Sequence, residues 1–189
     1  MMSKASRIII LCEDKLMDVV ICRFLKSWGV NSRSFHVVQY PHGQGCGEKF
    51  VRDGLPEQLR AFRSRKAETV LIVAIDADNL SVRERQQQLD KTVKSAKLPP
   101  RGNNESIAYI IPKRHIETWL AHLDDNDVNE SDDYKTKYEF KKCESQAHTL
   151  VDKLVKHCKN QKELPNLPES LLEACQEFER IREVLSHSR

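Results

Sequence analysis

The stretch LIVAIDADNL, Leu71–Leu80, runs five consecutive apolar residues, Leu71 to Ile75, straight into two aspartates one residue apart. An apolar run of this length, rich in β-branched residues and closed by polar turn residues, reads as a strand buried on both faces. Asp76 and Asp78 occupy alternate positions of an extended segment, so their carboxylates face one side. At about 4 Å two such charges repel by about 1 kcal/mol in water and about 4 kcal/mol at an effective dielectric near 20. Solvent, a shared proton or a cation has to offset that repulsion.

The flanking sequence places this strand in a repeating strand-helix pattern. Ser81 to Glu84, SVRE, form a capping box that starts a helix running to about Ala96. Upstream, RIIILC (Arg7–Cys12) is a second buried-strand pattern. It is followed by KLMDVVICRFLKSWG, where Met17, Val20, Ile21, Phe24, Leu25 and Trp28 recur at helical spacing and Gly29 suits a C-terminal cap. SRSFHVVQY reads as another strand, PHGQGCG as a glycine-rich loop, and EKFVRDGLPEQLRAFRSRK as a helix interrupted near Gly54 and Pro56. Downstream, KLPPRGNNE is a loop, SIAYIIP a strand and KRHIETWLAHL a short helix. This alternation predicts an α/β fold: a mainly parallel, Rossmann-like sheet with helices on both faces.

At Asp124 the texture changes. The run DDNDVNESDD has six acidic residues in ten and reads as a mobile acidic loop or hinge. It lacks the glycine and the spaced glutamate of an EF-hand loop. Beyond it, helices are predicted over about Tyr134–Lys159 and Pro168–Ser186, so the chain divides into an α/β domain, 1–123, and a helical extension, 124–189.

Charged residues make up 31% of the chain and no run of about 18 apolar residues occurs, which predicts a cytoplasmic protein with no membrane-spanning helix. The net charge of +3 neither demands nor excludes a nucleic-acid partner. Six cysteines without CxxC or zinc-like spacing predict reduced, packed thiols. The basic cluster Arg60, Arg63, Arg65 and Lys66 reads as a solvated helix end.

Three acids share one topological address. Glu13 follows the first strand, and Asp76 and Asp78 follow the third. In a parallel sheet all strand C-termini open on the edge where ligands bind. Glu117, in the first turn of the helix after SIAYIIP, lies at the same edge. With no basic residue among them, these acids suit a hard divalent cation, magnesium or manganese. Lys113, Arg114 and His115 lie just before Glu117, where they could neutralise phosphate. Gly43 and Gly45 would let a loop backbone approach an anion.

A glutamate after strand one (IIILCED) and a strand ending in DxD (LIVAIDAD) resemble the pattern of TOPRIM domains, found in topoisomerases, primases and nucleases of the overcoming-lysogenization-defect (OLD) type. IPKRHIETWLAHL resembles the P-x-R-x-I-E-x-W-L block of small stand-alone bacterial TOPRIM-like proteins. The resemblance spans about Arg7 to Leu123. It implies a nuclease in which Glu13, Asp76, Asp78 and Glu117 hold one or two Mg²⁺ or Mn²⁺ ions for phosphodiester cleavage, of DNA first and of RNA such as tRNA second. It also implies a role as effector of an anti-phage system. The chain has no GxxxxGK[ST], so any ATPase would be a partner chain. Two other readings stand beside it: a regulatory or adaptor subunit that keeps the fold, and a haloacid-dehalogenase-like phosphotransferase using Asp76 as nucleophile.

Overall fold

The computed structural model describes residues 7–38, 47–136, 140–160 and 167–186. The predicted loop glycines Gly43 and Gly45 lie outside them. The fold is α/β. Four parallel strands, β1 (Arg7–Cys12), β2 (Phe35–Val37), β3 (Thr69–Ala74) and β4 (Ile107–Ile110), form one sheet in the order β2-β1-β3-β4. The chain leaves β1 for β2 on one side and returns to β3 on the other. The topological switch point, where open α/β sheets bind ligands, therefore lies between the ends of β1 and β3.

Both faces of the sheet are covered. Ile8, Ile10, Val70, Ile72, Ala108 and Ile110 point to one side, under α1 (Lys15–Trp28), α4 (Ile116–Leu123), α5 (Phe140–Asn160) and α6 (Glu169–Arg180). Ile9, Leu11, Leu71, Val73, Ile107 and Tyr109 point to the other, under α2 (Gly47–Ser64) and α3 (Val82–Ser95). The alternation of faces along each strand is the period-two geometry of the pleat. Burial on both sides explains why β1 and β3 are apolar after their first residues, Arg7 and Thr69.

The helix boundaries follow local chemistry. Asp14 caps α1 by accepting the Met17 N–H at 2.9 Å, and Gly29 closes it at φ 102°. The SVRE capping box is formed as predicted and starts α3 at Val82. α2 differs from expectation, because it runs unbroken through Gly54 and Pro56. Proline in a helix interior costs about 3 kcal/mol. Here Val51, Leu55, Pro56 and Leu59 form one buried stripe on the sheet, and that burial offsets the lost hydrogen bond. β2 is shorter than predicted, since Asn31 caps a 3₁₀ turn over Ser32–Ser34 before the strand begins.

The helices after Asp124 share the sheet's core. Leu150, Val151, Leu154, Leu171 and Phe178 join the same apolar cluster as Ile8 and Phe24, and the Phe24 and Phe178 rings stack at 3.8 Å. The predicted helix from Pro168 to Ser186 is two, α6 and α7 (Arg182–Ser186), divided at Ile181. Cys158 of α5 and Cys175 of α6 form a disulfide, which corrects the expectation of reduced thiols at those positions. Among the described residues, no helix is long and apolar enough to cross a membrane.

The outer edge of β4 is covered by side chains. Glu177 of α6 accepts the Tyr109 backbone N–H at 2.8 Å and pairs with Arg101, which itself donates to the Ile107 carbonyl at 3.2 Å. A bare edge would template pairing with another chain.

Candidate metal centre

The segment after β3 continues the sheet without being strand. Ile75 N–H donates to the Ile110 carbonyl at 3.1 Å, Ala77 N–H to Pro112 at 2.8 Å and Asp78 N–H to Arg114 at 3.1 Å. Asp76 and Asp78 are thus fixed beside the chain leaving β4. Asp78 (φ 53°) and Arg114 (φ 67°) both sit in the left-handed region. Asp adopts that region more readily than Arg does.

Asp76 is the hub. It is fully buried, and its Oδ1 accepts the Ile116 N–H at 3.1 Å, capping the N-terminus of α4 from outside the helix. Its Oδ2 lies 3.4 Å from His115 Nδ1 and 3.4 Å from Lys135 Nζ. Its backbone N–H donates to Glu13 Oε2 at 3.0 Å. β1 and β3 are paired with Cys12 opposite Ala74, and this register carries Glu13 to the aspartates. Glu13 also touches Gly47, the first residue of α2. A Cβ on Gly47 would lie 2.5 Å from the Glu13 carbonyl oxygen and 2.6 Å from its Cγ.

Asp78 Oδ1 lies 3.7 Å from His115 Nδ1, and its Oδ2 pairs with Arg85 at 3.0 Å. One ligand atom from each of Asp76, Asp78 and His115 falls within 4.8 Å of the others. Ligand bonds of about 2.1–2.4 Å span about 4.2–4.8 Å across a single ion. Glu117 stands at the same edge, half-buried, with Oε2 sealed from solvent and without a hydrogen-bond partner among the described residues. His115 is buried, and its Nε2 lies 3.8 Å from Asp133.

Burial, then the neighbouring Asp76 charge, pushes the Glu13 carboxyl up to about 7. Burial likewise raises Asp76, partly opposed by its bond to His115 and by Lys135. Burial raises Glu117, with Asp76 adding to it. For Lys135 burial favours the neutral amine, but Asp76, Glu117 and Glu13 outweigh it and hold the ammonium charged. Cys12, at the end of β1, is pushed up to about 12 by burial, so it is no nucleophile near neutral pH.

The expectation that the acids have no internal counter-charge is corrected. Arg85 and Lys135 both face them. Arg85 left a trace in the sequence: with Leu89 and Val93 it lies on the buried stripe of α3, a charged residue at a position where the helical period calls for an apolar one. Lys135 left none, because it arrives on an irregular segment after the acidic run. The expected phosphate contacts are also engaged within the chain. Lys113 Nζ donates to the Leu80 carbonyl and Arg114 to Asn79 Oδ1, so both hold the loop after Asp78. From the basic cluster, Arg63 binds Glu105 at 2.6 Å and donates to the Pro99 and Pro100 carbonyls. Gly47 serves the site by its close approach to Glu13, a role not anticipated for any glycine of that stretch.

No family model, curated protein or solved structure compared with the chain matches it.

Proposed function

We propose that the chain is a divalent-metal-dependent phosphodiesterase acting on nucleic acid, with DNA the first candidate substrate and structured RNA the second. The observation that carries this reading is the convergence of Glu13, Asp76, Asp78 and His115 at the switch point of a parallel sheet. The residues fit a cation. The donor atoms of Asp76, Asp78 and His115 lie within 4.8 Å of one another, and Glu117 Oε2 is a buried acceptor with no hydrogen-bond partner among the described residues. Asp76, Asp78 and His115 would hold the first ion, Glu117 and Glu13 a second or the remaining positions. Carboxylates with one imidazole suit Mn²⁺ at least as well as Mg²⁺. Such an ion supplies Lewis acidity, lowering the pKa of water and stabilising charge on the leaving oxygen.

The protein's own part is positioning. The Ile116 N–H and the β4 ladder fix Asp76 against rotation, Arg85 fixes Asp78, and Glu13 ties the end of β1 to that of β3. The resemblance to TOPRIM nucleases of the OLD type supports the substrate class, and it is the whole support for an anti-phage role with an ATPase or sensor partner.

One observation favours a non-catalytic adaptor: Asp76 and Asp78 each already face a protein cation, Lys135 at 3.4 Å and Arg85 at 3.0 Å. The deciding experiment incubates plasmid DNA and total RNA with the protein in Mn²⁺, in Mg²⁺ and in EDTA, beside Asp76→Asn. Cleavage that needs the metal and is lost in the variant supports the nuclease. Cleavage that persists in EDTA sinks it, and an inert protein that binds no Mn²⁺ leaves the adaptor.

A further inference from the structure

The acidic segment 124–136 is a folded strap, where a mobile loop was expected. Lys153 of α5 donates to the Leu123 carbonyl at 2.9 Å and pairs with Asp125 at 3.1 Å. Glu130 accepts the Ser170 backbone N–H at 3.3 Å, along with the Ser170 hydroxyl. The buried Tyr134 accepts the Asn129 N–H at 3.0 Å on its hydroxyl oxygen. The Lys135 N–H donates to Asp133 Oδ1 at 2.9 Å, and that same oxygen faces His115 Nε2. These anchors deliver the Lys135 ammonium to Asp76 Oδ2, with Glu13 and Glu117 adding attraction.

We propose that Lys135 is a tethered cation that competes with the divalent metal for Asp76, so that metal binding expels the ammonium and loosens the strap from the site. The inference rests on the metal reading above and deepens it. Asp76 Oδ2 is the oxygen the ammonium faces, and it belongs to the residue at the centre of the candidate donor set. An ammonium and a divalent ion on one buried carboxylate repel in a medium that screens them poorly. The Lys135 side chain keeps 39% exposure, so it has an open route back to solvent. The acids of the strap, Asp132 and Asp133 among them, would meet the expelled ammonium there. In this arrangement the protein stays neutralised and folded without metal. Its affinity for metal is set by the difference between the two cations, not by the full pull of the acids.

The test is Mn²⁺ binding, read from loss of the free-ion electron paramagnetic resonance signal, for the wild type, Lys135→Met and Lys135→Arg. Competition predicts that Lys135→Met binds Mn²⁺ at least about tenfold more tightly than the wild type. Lys135→Arg, which keeps the charge and reports on folding, should stay near the wild-type value. If the wild type binds Mn²⁺ and Lys135→Met binds it equally or more weakly, the competition is wrong while the metal site stands. If neither the wild type nor Lys135→Met binds Mn²⁺, the metal reading itself falls and takes the competition with it.

Discussion

Glu13 Oε2 accepts the backbone N–H of Asp76 at 3.0 Å, so the acid that ends β1 and the acid that ends β3 form one unit across the switch point. The contact joins a side chain to a main chain, and this gives it a structural as well as an electrostatic consequence. Glu13 orients the peptide on which Asp76 is mounted. Its own carboxyl is thereby held in a buried position beside a second acid.

The pH dependence of stability follows from that position. Glu13 titrates near 7 in the folded chain against an ordinary value of 4.5. Between these values the native state holds a proton that the unfolded state has released, so stability falls as pH rises. Below about 4.5 the contribution is fully present, and above about 7 it is gone. The span is worth on the order of 3 kcal/mol. Urea titrations of metal-free protein from pH 4.5 to 7.5 should show this decline, and Glu13→Gln should make it shallower, the remainder coming from Asp76 and Glu117, whose carboxyls burial also raises. Added Mn²⁺ should reverse the slope in the wild type, since a cation favours the ionised acid. An equal slope in wild type and Glu13→Gln would show that Glu13 is not its source.

The sheet and its edge were legible because strands buried on both faces leave unbroken apolar runs, and Ile8–Cys12 and Leu71–Ile75 are such runs. Placing Glu13 beside Asp76 needed only that β1 and β3 be neighbours. The countercharges were less legible. Arg85 could be found only as a wrong-character residue in the α3 stripe, and Lys135 is brought in by contacts of a strap whose anchors, Ser170 and Lys153, lie far along the chain. Pro56 misled for a similar reason, because local propensity is overridden when a helix face is buried on a sheet. The Cys158–Cys175 pairing depends on how α5 and α6 pack, which spacing alone does not contain.

Gly47 is predicted to be intolerant of any side chain. The nearest atom to an added Cβ is the Glu13 backbone carbonyl at 2.5 Å, and a backbone atom cannot swing away as a flexible side chain can. Gly47→Ala therefore has to displace either the start of α2 or Glu13. The expected cost is about 1–3 kcal/mol in a urea melt, as for other overpacked sites. Mn²⁺ affinity should fall with it if Glu13 is moved. Gly54→Ala is the control, since its added Cβ would meet only Leu11 at 3.6 Å, an ordinary contact. Equal stability of Gly47→Ala and wild type would refute the close approach.

Asp76→Asn should separate stability from function. The amide keeps an oxygen to accept the Ile116 N–H and removes a charge that burial penalises, while Lys135 and His115 lose their anion. These effects oppose one another, so the unfolding free energy should move by less than about 1 kcal/mol. Mn²⁺ binding should be lost. Asp76→Ala, which leaves the Ile116 N–H without its acceptor, should cost about 1–2 kcal/mol more. A variant Asp76→Asn that keeps full Mn²⁺ binding would remove Asp76 from the metal site.

Arg85 is 2% exposed and binds Glu48, Gln88, the Ala77 carbonyl and Asp78 together. Arg85→Met would leave the 18% exposed Glu48 with Arg52 as its remaining cation, at 2.8 Å, and would leave Asp78, 39% exposed, to water. Removing one partner of a buried pair typically costs about 3–5 kcal/mol, while replacing both with apolar groups is often neutral. The single variant should therefore unfold at markedly lower urea, and Arg85→Met with Glu48→Leu should recover most of the loss. No recovery in the double variant would place the importance of Arg85 on Asp78 and the Ala77 carbonyl instead.

The cysteines whose side chains are described, Cys12, Cys22, Cys158 and Cys175, divide into two chemical classes that one labelling experiment can read. Cys158 and Cys175 close a loop of 17 residues in sequence separation between α5 and α6, and in the chain-entropy account such a closure contributes on the order of 3 kcal/mol. A non-reducing peptide map should find the pair joined, and Cys175→Ala should lower the unfolding free energy by about that amount. Cys12 and Cys22 are free, and burial, joined at Cys22 by its bond to Asp18, pushes both thiols up to about 12. Neither should alkylate in native protein at pH 8, and both should react once urea unfolds the chain. Rapid labelling of Cys12 in the native state would be the damaging result. It would mean that the end of β1, on which Glu13 is carried, is open to solvent, and the raised carboxyl and the sealed site would lose their common cause.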